Sequence, residues 1–381
     1  MIPFSSKLPD VGVTIFTVMS KLAGDAGAIN LSQGFPDFDA APELPALVAK
    51  YMASGHNQYA PMQGVLSLRR RIAEKTRELY GASYDPETEI TVTSGATEAI
   101  FCAVACVVNP GDEVILFEPA YDSYAPAVRL AGGIPVYVQL KYPDYHVDWN
   151  EVKDTITPKT RLLILNFPHN PTGAILGRED MTALMNILAG TDILIVSDEV
   201  YEHIVFDGRL HESMTRYPEL ARRSFVISSF GKTYHATGWK LGYCLAPGQL
   251  SVEFQKVHQY VTFASHTPTQ WAYAEFMEQK EKYLGLPDFY QAKRDLFLSL
   301  IKDSRFRPLP CRGTYFQMLS YEAVTDEKDV DFARRLTTEY KVAAIPPSVF
   351  YVSGEDHKVL RFCFAKRDET LTQAAERLCR I

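Results

Sequence analysis

Short apolar runs alternate with longer helical patterns through the middle of the chain, and this alternation constrains the fold more than any other feature. The runs are rich in Val, Ile and Leu and show little polar alternation, which indicates strands buried on both faces. They are EITVT (89–93), EVILF (113–117), IPVYVQL (134–140), RLLILN (161–166), DILIVS (192–197) and SFVISS (224–229). Strands separated by helices predict an α/β domain with a mainly parallel sheet between helices.

The pattern changes after about residue 275. Residues 283–304 have a helical pattern, and a final helix ends the chain. Between them lie three strand-like runs, TYFQMLS (314–320), VAAIPPSVF (342–350) and KVLRFCFA (358–365). We therefore expect a large domain followed by a smaller α+β domain.

Charge and composition narrow the classes of partner. The 381 residues are 46% hydrophobic and carry a net charge of -7, which suits a globular core and argues against nucleic-acid binding through bulk positive charge. The N-terminus shows no apolar signal segment, and the longest apolar run (99–108) is too short for a membrane span and predicts a buried helix. The cysteines include no CxxC pair, and Cys102 and Cys106 suit a packed helix face better than a metal site. We expect a cytoplasmic protein without a metal, membrane or nucleic-acid partner.

Polar residues follow four of the runs, and ligands of open α/β sheets bind beyond the carboxyl ends of the strands. After EITVT, residues 94–98 open a helix and suit an anion site, although Ser94 or Thr97 could simply cap that helix. After RLLILN comes FPHNPTG (167–173), which is either an ordinary turn or a loop that projects functional side chains. SDEVYEH (197–203) places two carboxylates at the end of a buried run, where they need a partner or cap a helix.

The fourth run leads into SSFGKTYHATGWKLGY (228–243), which contains Lys232. A nucleotide phosphate loop would need Gly at 226, and that position is Val226, so this interpretation fails. A surface turn is disfavoured because Lys232 follows a buried run in line with three other polar run ends. The remaining interpretation is a reactive lysine, whose pKa falls in a partly desolvated pocket and which can form a Schiff base. Pyridoxal 5'-phosphate requires such a lysine, a phosphate site and an Asp facing the pyridine nitrogen.

At this point the sequence resembles a known family. SSFGKTYHATGWKLGY resembles the lysine signature of the class I/II pyridoxal-phosphate aminotransferases of fold type I, and SGATEA, NFPHNPTG and SDEVYEH resemble their other motifs in the same order. NLSQGFPDF (30–38), NQYAPMQG (57–64) and VLRFCFAK (359–366) extend the resemblance to nearly the whole chain. Within the family, the sequence resembles the branch of methionine aminotransferases and kynurenine/glutamine transaminases. The resemblance implies a large cofactor-binding domain over residues 30–275, with residues 1–29 and 276–381 forming an N-terminal arm and small domain.

The same resemblance implies roles toward the cofactor. Lys232 would bind it covalently and serve as the base, Asp198 would face the pyridine nitrogen, and Tyr201 and Asn170 would hydrogen-bond the ring hydroxylate. Tyr121 would stack on the ring unless it is an ordinary buried aromatic. The phosphate would be held by Gly95, Ala96, Thr97, Ser229 and Lys240, and by Tyr59 of a neighbouring subunit, which implies a homodimer with active sites at the interface. Many relatives have Arg in place of Lys240, so the phosphate contact is expected to lose a bidentate fork.

Arg361 would bind the α-carboxylate of the substrate, together with the N–H of Gly34 and with Asn170. Strand alternation supports this role, because it places Arg361 on an apolar face where a charge needs a partner; a structural salt bridge is the alternative. Pocket positions matched by the resemblance are Phe16, Tyr59, Tyr121 and His266.

The resemblance implies a ping-pong aminotransferase acting on an amino acid and a 2-oxo acid, with L-methionine as the preferred donor and aromatic amino acids or kynurenine as further donors. One alternative is a kynurenine–oxoglutarate/glutamine transaminase with cysteine-conjugate β-lyase activity. A non-catalytic amino-acid sensor is a further alternative, but such proteins add a DNA-binding segment, and here the first motif starts near residue 30.

Overall fold

A computed structural model of the chain describes residues 5–381. The strands of this part are β1 (Ile29–Asn30), β2 (Ile90–Thr93), β3 (Glu113–Glu118), β4 (Ile134–Gln139), β5 (Thr160–Asn166), β6 (Leu194–Asp198), β7 (Ser224–Ser229), β8 (Gly242–Leu245), β9 (Arg307–Pro308), β10 (Phe316–Ser320), β11 (Val342–Ala343) and β12 (Val359–Cys363).

The helices are α1 (Ile15–Ala26), α2 (Glu43–Ala53), α3 (Leu66–Tyr80), α4 (Gly95–Ala105), α5 (Tyr124–Leu130), α6 (Trp149–Thr155), α7 (Arg178–Leu188), α8 (Pro218–Ala221), α9 (Phe230–Thr233), α10 (Gly248–Val261), α11 (Thr267–Phe276), α12 (Glu281–Leu284), α13 (Leu286–Leu300), α14 (Asp329–Thr338) and α15 (Asp368–Leu378). Short 3₁₀ helices cover Met214–Arg216, Thr237–Trp239 and Pro347–Phe350. No helix of residues 5–381 is both long and apolar enough to cross a membrane.

A seven-stranded sheet in the order β2-β8-β7-β6-β5-β3-β4 forms the centre of the fold. All six apolar runs that the sequence predicts as strands lie in this sheet, and β3 to β7 pair in parallel. Helices cover both faces, since separate buried apolar clusters lie on its two sides. The predicted α/β class and mainly parallel sheet are therefore confirmed.

Strand β8 is the part of the sheet that the sequence did not indicate. It runs antiparallel to both of its neighbours, β2 and β7. Its four residues, GYCL, begin with the last two residues of the lysine signature and include Gly242, so they lack a long apolar run. Gly242 is required by close packing, because a Cβ there would lie 2.6 Å from the carbonyl oxygen of Ser228 and 3.1 Å from the backbone nitrogen of Ala96. The start of α4 thus lies tightly against β8.

The C-terminal part forms a smaller unit around the antiparallel sheet β12-β10-β9. Strand β1 pairs in parallel with β11, so an N-terminal segment joins this unit. The strand predicted over 342–350 is wrong beyond residue 343, because Pro346 and Pro347 offer no backbone N–H and a 3₁₀ helix follows. The division at residues 29/30 and 275/276 stays a prediction.

Candidate active site

The carboxyl ends of the parallel strands bring the polar run ends together. Asn166 at the end of β5 lies beside Asp198 at the end of β6, and Asp198 lies beside Ile227 of β7. A cavity of about 290 Å³ opens at this edge. Thirteen of the residues predicted for the site line it: Phe16, Gly34, Gly95, Ala96, Thr97, Tyr121, Asn170, Asp198, Tyr201, Ser229, Lys232, Lys240 and Arg361.

Lys232 lies in the single-turn helix α9, directly after β7. Its Nζ donates to the carbonyl oxygen of Gly34 at 3.0 Å and to the hydroxyl of Tyr315 at 3.0 Å. Burial lowers the pKa of Lys232 to about 8, and the positive charges of Arg361 and Lys240 act in the same direction. A sizeable fraction of this amine is therefore neutral, and so nucleophilic, near neutral pH.

Asp198 ends β6 and is buried. Its Oδ2 accepts a hydrogen bond from the hydroxyl of Tyr124 at 2.6 Å, and its Oδ1 accepts one from the N–H of Val200 at 3.3 Å. Burial raises the pKa of Asp198 to about 6, which these hydrogen bonds only partly oppose. The chain turns after Asp198 and begins no helix there, so the interpretation of Asp198 and Glu199 as helix caps is wrong. A cationic partner would lower this pKa and so favour the ionised carboxylate.

The start of α4 forms an anion site. The side chain of Ser94 makes no capping bond, so the N–H groups of the first turn stay available to a ligand. Gly95 begins the helix at φ 78°, and a Cβ there would lie 3.5 Å from the Nζ of Lys240. Ser229 is drawn close because it pairs with Gly242 of β8. An ammonium group at a helix N-terminus suits a phosphate, and the helix-cap interpretation of Ser94 is wrong.

Arg361 lies in the centre of β12 and is 0% exposed. Its Nη1 donates to Oδ1 of Asn170 at 2.7 Å and its Nη2 donates to the carbonyl oxygen of Ser32 at 2.7 Å, while Nε has no partner among the described residues. Burial lowers the pKa of Arg361 to about 10. Within residues 5–381 it forms no ion pair, so the structural salt bridge considered as an alternative is not found. A buried guanidinium with an open N–H is ready to bind a carboxylate.

Aromatic rings extend the cavity beside Arg361. Thr14 caps α1 by accepting from the N–H of Phe16 at 3.3 Å, which fixes Phe16 in the first turn. The ring of Phe16 lies 6.3 Å from that of Tyr121 and 5.8 Å from that of Phe350. Phe350 packs behind Phe16 and does not itself line the cavity, whereas Phe316, which lines it beside Arg361, was not predicted as a pocket residue.

Tyr59 and His266 are the predicted site residues that the structure does not bring to the cavity of their own chain. Tyr59 is 84% exposed, and His266 is exposed at the start of α11. Thr267 holds their two segments together, since its Oγ1 accepts from the N–H of Ala60 at 3.0 Å and donates to the carbonyl oxygen of Gln58 at 2.8 Å. Both side chains therefore lie on a common surface. The prediction that His266 lines the pocket is wrong for a single chain.

Comparison with known proteins decides the family. The family model for class I and II aminotransferases matches residues 26–378. This chain belongs to that family. It is 52% identical to the methionine aminotransferase of Escherichia coli strain K12, over 98% of this chain and 97% of that protein. It is 34% identical to the kynurenine–oxoglutarate transaminase of Dictyostelium discoideum, over 99% and 96%.

A solved Escherichia coli structure with a methionine aminotransferase function matches the fold with a TM-score of 0.97 at 51% identity, covering 100% of both chains. The resemblance drawn from the motifs and the predicted fold type I are thereby confirmed. The chain is an aminotransferase, an enzyme of a family that depends on pyridoxal 5'-phosphate.

A buried ion pair lies behind the active site of this aminotransferase. Lys75 of α3 donates to Oε1 of Glu202 at 2.6 Å, and their side chains are 6% and 3% exposed. Glu202 also accepts from Tyr80 at 2.5 Å, from Ser228 at 2.5 Å and from Tyr243 at 3.1 Å. Lys75 and these hydrogen bonds hold the pKa of Glu202 well below its usual range despite burial. The network fixes the backbone next to Tyr201 and Ser229, and no sequence pattern indicates it.

A second buried cluster supports the anion site. Glu98 accepts from the N–H of Ser94 at 3.0 Å and from the thiol of Cys102 at 2.8 Å. The Nδ1 of His258 lies 2.8 Å from Glu98, and its Nε2 lies 3.0 Å from the carbonyl oxygen of Met62. Both ring nitrogens of His258 therefore take part in polar contacts. The potential ligand atoms of Cys102, His258 and Glu98 lie close enough together to bind a metal ion. Each of these atoms already takes part in a hydrogen bond, however.

Proposed function

We propose that this aminotransferase transfers the amino group of L-methionine to a 2-oxo acid by a ping-pong reaction. One observation carries the proposal. The amine of Lys232, the carboxyl of Asp198 and the unpaired N–H of Arg361 line one cavity, at the meeting point of parallel strands. Burial lowers the pKa of Lys232 toward the reactive neutral amine, whereas it opposes the charged forms of Asp198 and Arg361, so both of these groups gain from a ligand of opposite charge.

Pyridoxal 5'-phosphate fits the chemistry of these donors. Asp198 would pair with the pyridine nitrogen, and Tyr201 and Asn170 would bind the ring hydroxylate. Tyr121 would stack on the ring, and the amine of Lys232 would hold the cofactor covalently. The phosphate would lie at the start of α4, held by Gly95, Ala96, Thr97, Ser229 and Lys240. When bound, the cofactor takes up the electron pair released at the substrate α-carbon and carries the amino group between the two substrates.

The residues of the chain then have separate tasks. Arg361 would hold the α-carboxylate with its unpaired Nε–H and with the Nη1 group that now donates to Asn170. Gly34 would add its backbone N–H. The neutral amine of Lys232 would take the proton from the substrate α-carbon and would hold it as an ammonium group until the proton is given back during transfer of the amino group. The lowered pKa of Lys232 leaves this amine able to accept a proton near neutral pH.

The side-chain pocket favours a large, weakly polar donor. Phe16, Tyr121 and Phe316 line the cavity together with Arg361, and a thioether makes favourable contacts with aromatic rings. Among the described residues that line the cavity, Arg361 is the only arginine, which argues against a donor with a second carboxylate. The 52% identity to a methionine aminotransferase supports the same donor.

A homodimer completes the proposed site. Tyr59 and His266 share an exposed surface, and the rings of Tyr59 and Phe263 lie edge to face at 5.4 Å. We propose that this surface contacts a second copy of the chain, where Tyr59 reaches the phosphate and His266 the substrate pocket. The large domain over 30–275, the arm and small domain over 1–29 and 276–381, and a cytoplasmic location belong to the same proposal.

The test is an absorbance spectrum of the purified protein before and after L-methionine is added without any 2-oxo acid. We expect the visible band of the bound cofactor to be replaced by that of its amino form, with one 2-oxo acid released per site. The variant Lys232→Ala is the control and should lack the band. A protein that binds no cofactor after reconstitution would refute the proposal, whereas bound cofactor that ignores methionine would refute only the choice of donor.

Kynurenine transamination with β-lyase activity is the second candidate. The three aromatic rings of the pocket and the 34% identity to a kynurenine–oxoglutarate transaminase favour it. Products separate the activities, because a β-lyase releases pyruvate and ammonia from a cysteine conjugate while a transaminase yields a 2-oxo acid and an aminated acceptor. Parallel assays with methionine, kynurenine and a cysteine conjugate would rank them.

A further inference from the structure

Tyr315 makes a direct hydrogen bond to the reactive lysine. It lies immediately before β10 and is 0% exposed. The Nζ of Lys232 donates to the Tyr315 hydroxyl at 3.0 Å and to the carbonyl oxygen of Gly34 at 3.0 Å. The Tyr315 hydroxyl donates in turn to the same Gly34 oxygen at 2.7 Å. These three groups form a closed triangle of hydrogen bonds, and neither the motifs nor the comparisons assign Tyr315 a role.

The lengths of the three contacts indicate the direction of each bond. Tyr315 has one O–H, and its shortest contact, 2.7 Å to the carbonyl oxygen of Gly34, assigns that proton to Gly34. The Tyr315 oxygen therefore accepts from Lys232. A neutral amine has two N–H groups and one lone pair, and here both N–H groups are engaged by Gly34 and Tyr315. The lone pair is consequently directed away from both of them.

We propose that Tyr315 is a positioning residue that fixes the rotation of the free Lys232 amine, so that its lone pair is directed at the substrate α-carbon. The inference rests on the proposed role of Lys232 as the base. Without the tyrosine oxygen, the amine keeps a single acceptor and rotates about its Cε–Nζ bond, and fewer of its orientations can take up a proton. Tyr315 acts through Lys232 and needs no contact with the substrate.

The surroundings hold the Tyr315 hydroxyl in place. Its ring lies edge to face with that of Tyr201 at 5.1 Å and with that of Phe316 at 4.9 Å. The Lys232 Nζ lies 5.6 Å from the centres of both tyrosine rings. The titratable and charged groups that face the amine are Asp198, Tyr201, Lys240, Tyr315, Arg361 and Cys363.

The variant Tyr315→Phe removes the hydroxyl and keeps the ring, and Tyr290→Phe is a matched control. Tyr290 is equally buried and its ring lies 5.5 Å from that of Tyr315, but its hydroxyl has no hydrogen-bond partner. With L-methionine, Tyr315→Phe should lower kcat about 3- to 10-fold, the effect of one ordinary buried hydrogen bond, and leave KM within about twofold. Tyr290→Phe should change neither.

Two readouts separate positioning from a structural role. With α-deuterated methionine, Tyr315→Phe should raise the deuterium isotope effect on kcat, because proton removal becomes more rate-limiting; a loss of folded enzyme would leave that ratio unchanged. In the cofactor-free protein, the labelling of Lys232 by an amine reagent is followed against pH by peptide mass spectrometry. Loss of an acceptor that favours the ammonium form should shift this labelling curve to lower pH.

An unchanged isotope effect together with an unchanged labelling curve would overturn the proposal. If Tyr315→Phe folds poorly, 4-fluorophenylalanine at position 315 keeps the ring and nearly the size of the hydroxyl but offers only a very poor acceptor, and it should give the same shifts. Failure of the wild-type enzyme to transfer an amino group would refute the proposed function alone, since the labelling curve of the cofactor-free protein still decides the role of Tyr315.

Discussion

Replacement of Glu202 by Gln is expected to destabilise the protein far more than its conservative shape suggests. Glu202 neutralises Lys75 in a site where both side chains are more than nine-tenths buried, at 3% and 6% exposure. The amide of Gln keeps the volume but removes the charge, so Lys75 is left as a buried cation beside His203, whose pKa burial holds at about 3 and which therefore stays neutral. Breaking a buried pair from one side costs about 3–5 kcal/mol.

The assay is urea unfolding at one fixed protein concentration, because any subunit association adds to the apparent stability. Glu202→Gln, Lys75→Met and the double variant form a double-mutant cycle. We expect the double variant to be less destabilised than the sum of the two single variants by about 2 kcal/mol or more, since it removes both charges together. Because the pKa of Glu202 is depressed, the contribution of this group is complete above the pKa of an unfolded Glu and is lost as the pH falls below it.

Two results would refute this reasoning. A cost below about 1 kcal/mol for Glu202→Gln would mean that water or other groups already solvate Lys75. Additivity within about 0.5 kcal/mol would mean that the two side chains act independently. Arg71→Gln with Glu74→Gln is the matched control cycle in the neighbouring part of α3, where the charges are 36% and 43% exposed and the coupling should be below about 1 kcal/mol.

Three further predictions concern the site itself. Asp198→Asn should weaken cofactor binding, which a titration with the cofactor measures. The same change should raise the stability of the cofactor-free protein at pH 7 by roughly 1–3 kcal/mol in urea unfolding, because a folded-state pKa of about 6 penalises the charged carboxyl above that pH. The rate at which cofactor-free protein captures pyridoxal phosphate should rise with pH through about 8, as the Lys232 amine loses its proton, and stopped-flow absorbance would show a flat profile if that pKa is wrong. Gly34→Ala should raise KM for the amino acid, because the added Cβ would lie 2.8 Å from the ring of Phe316, which packs on Arg361. An unchanged KM would contradict this prediction.

Six of the seven strands of the large sheet could be predicted because they are short, mainly apolar runs, and such runs are buried wherever they pair. Lys232, Asp198 and Asn170 could be predicted because they follow those runs at the carboxyl edge, where the sheet gathers them. The roles given to the thirteen cavity residues came from a family resemblance, and the structure adds that one cavity contains them.

Other parts depend on contacts between residues distant in sequence. Tyr124 bonds to Asp198 across 74 positions and Tyr315 bonds to Lys232 across 83, and no local pattern marks either tyrosine. Strand β8 escaped notice because its apolar stretch is only four residues long. His266 was assigned to the pocket by resemblance, and a single chain does not bring it there.

The contacts that run from Ser94 through Glu98 and His258 to Met62 join the anion site to the loop that carries Tyr59. In the proposed dimer, phosphate binding acts on one end of this chain of contacts and subunit docking acts on the other. If dimer formation raises the affinity for the cofactor by a certain factor, thermodynamic reciprocity requires cofactor binding to raise the affinity between subunits by the same factor. The supply of cofactor would then govern assembly. A cell that makes more of this enzyme than it has cofactor would hold the surplus as weakly associated chains, and such chains are easier for proteases to degrade.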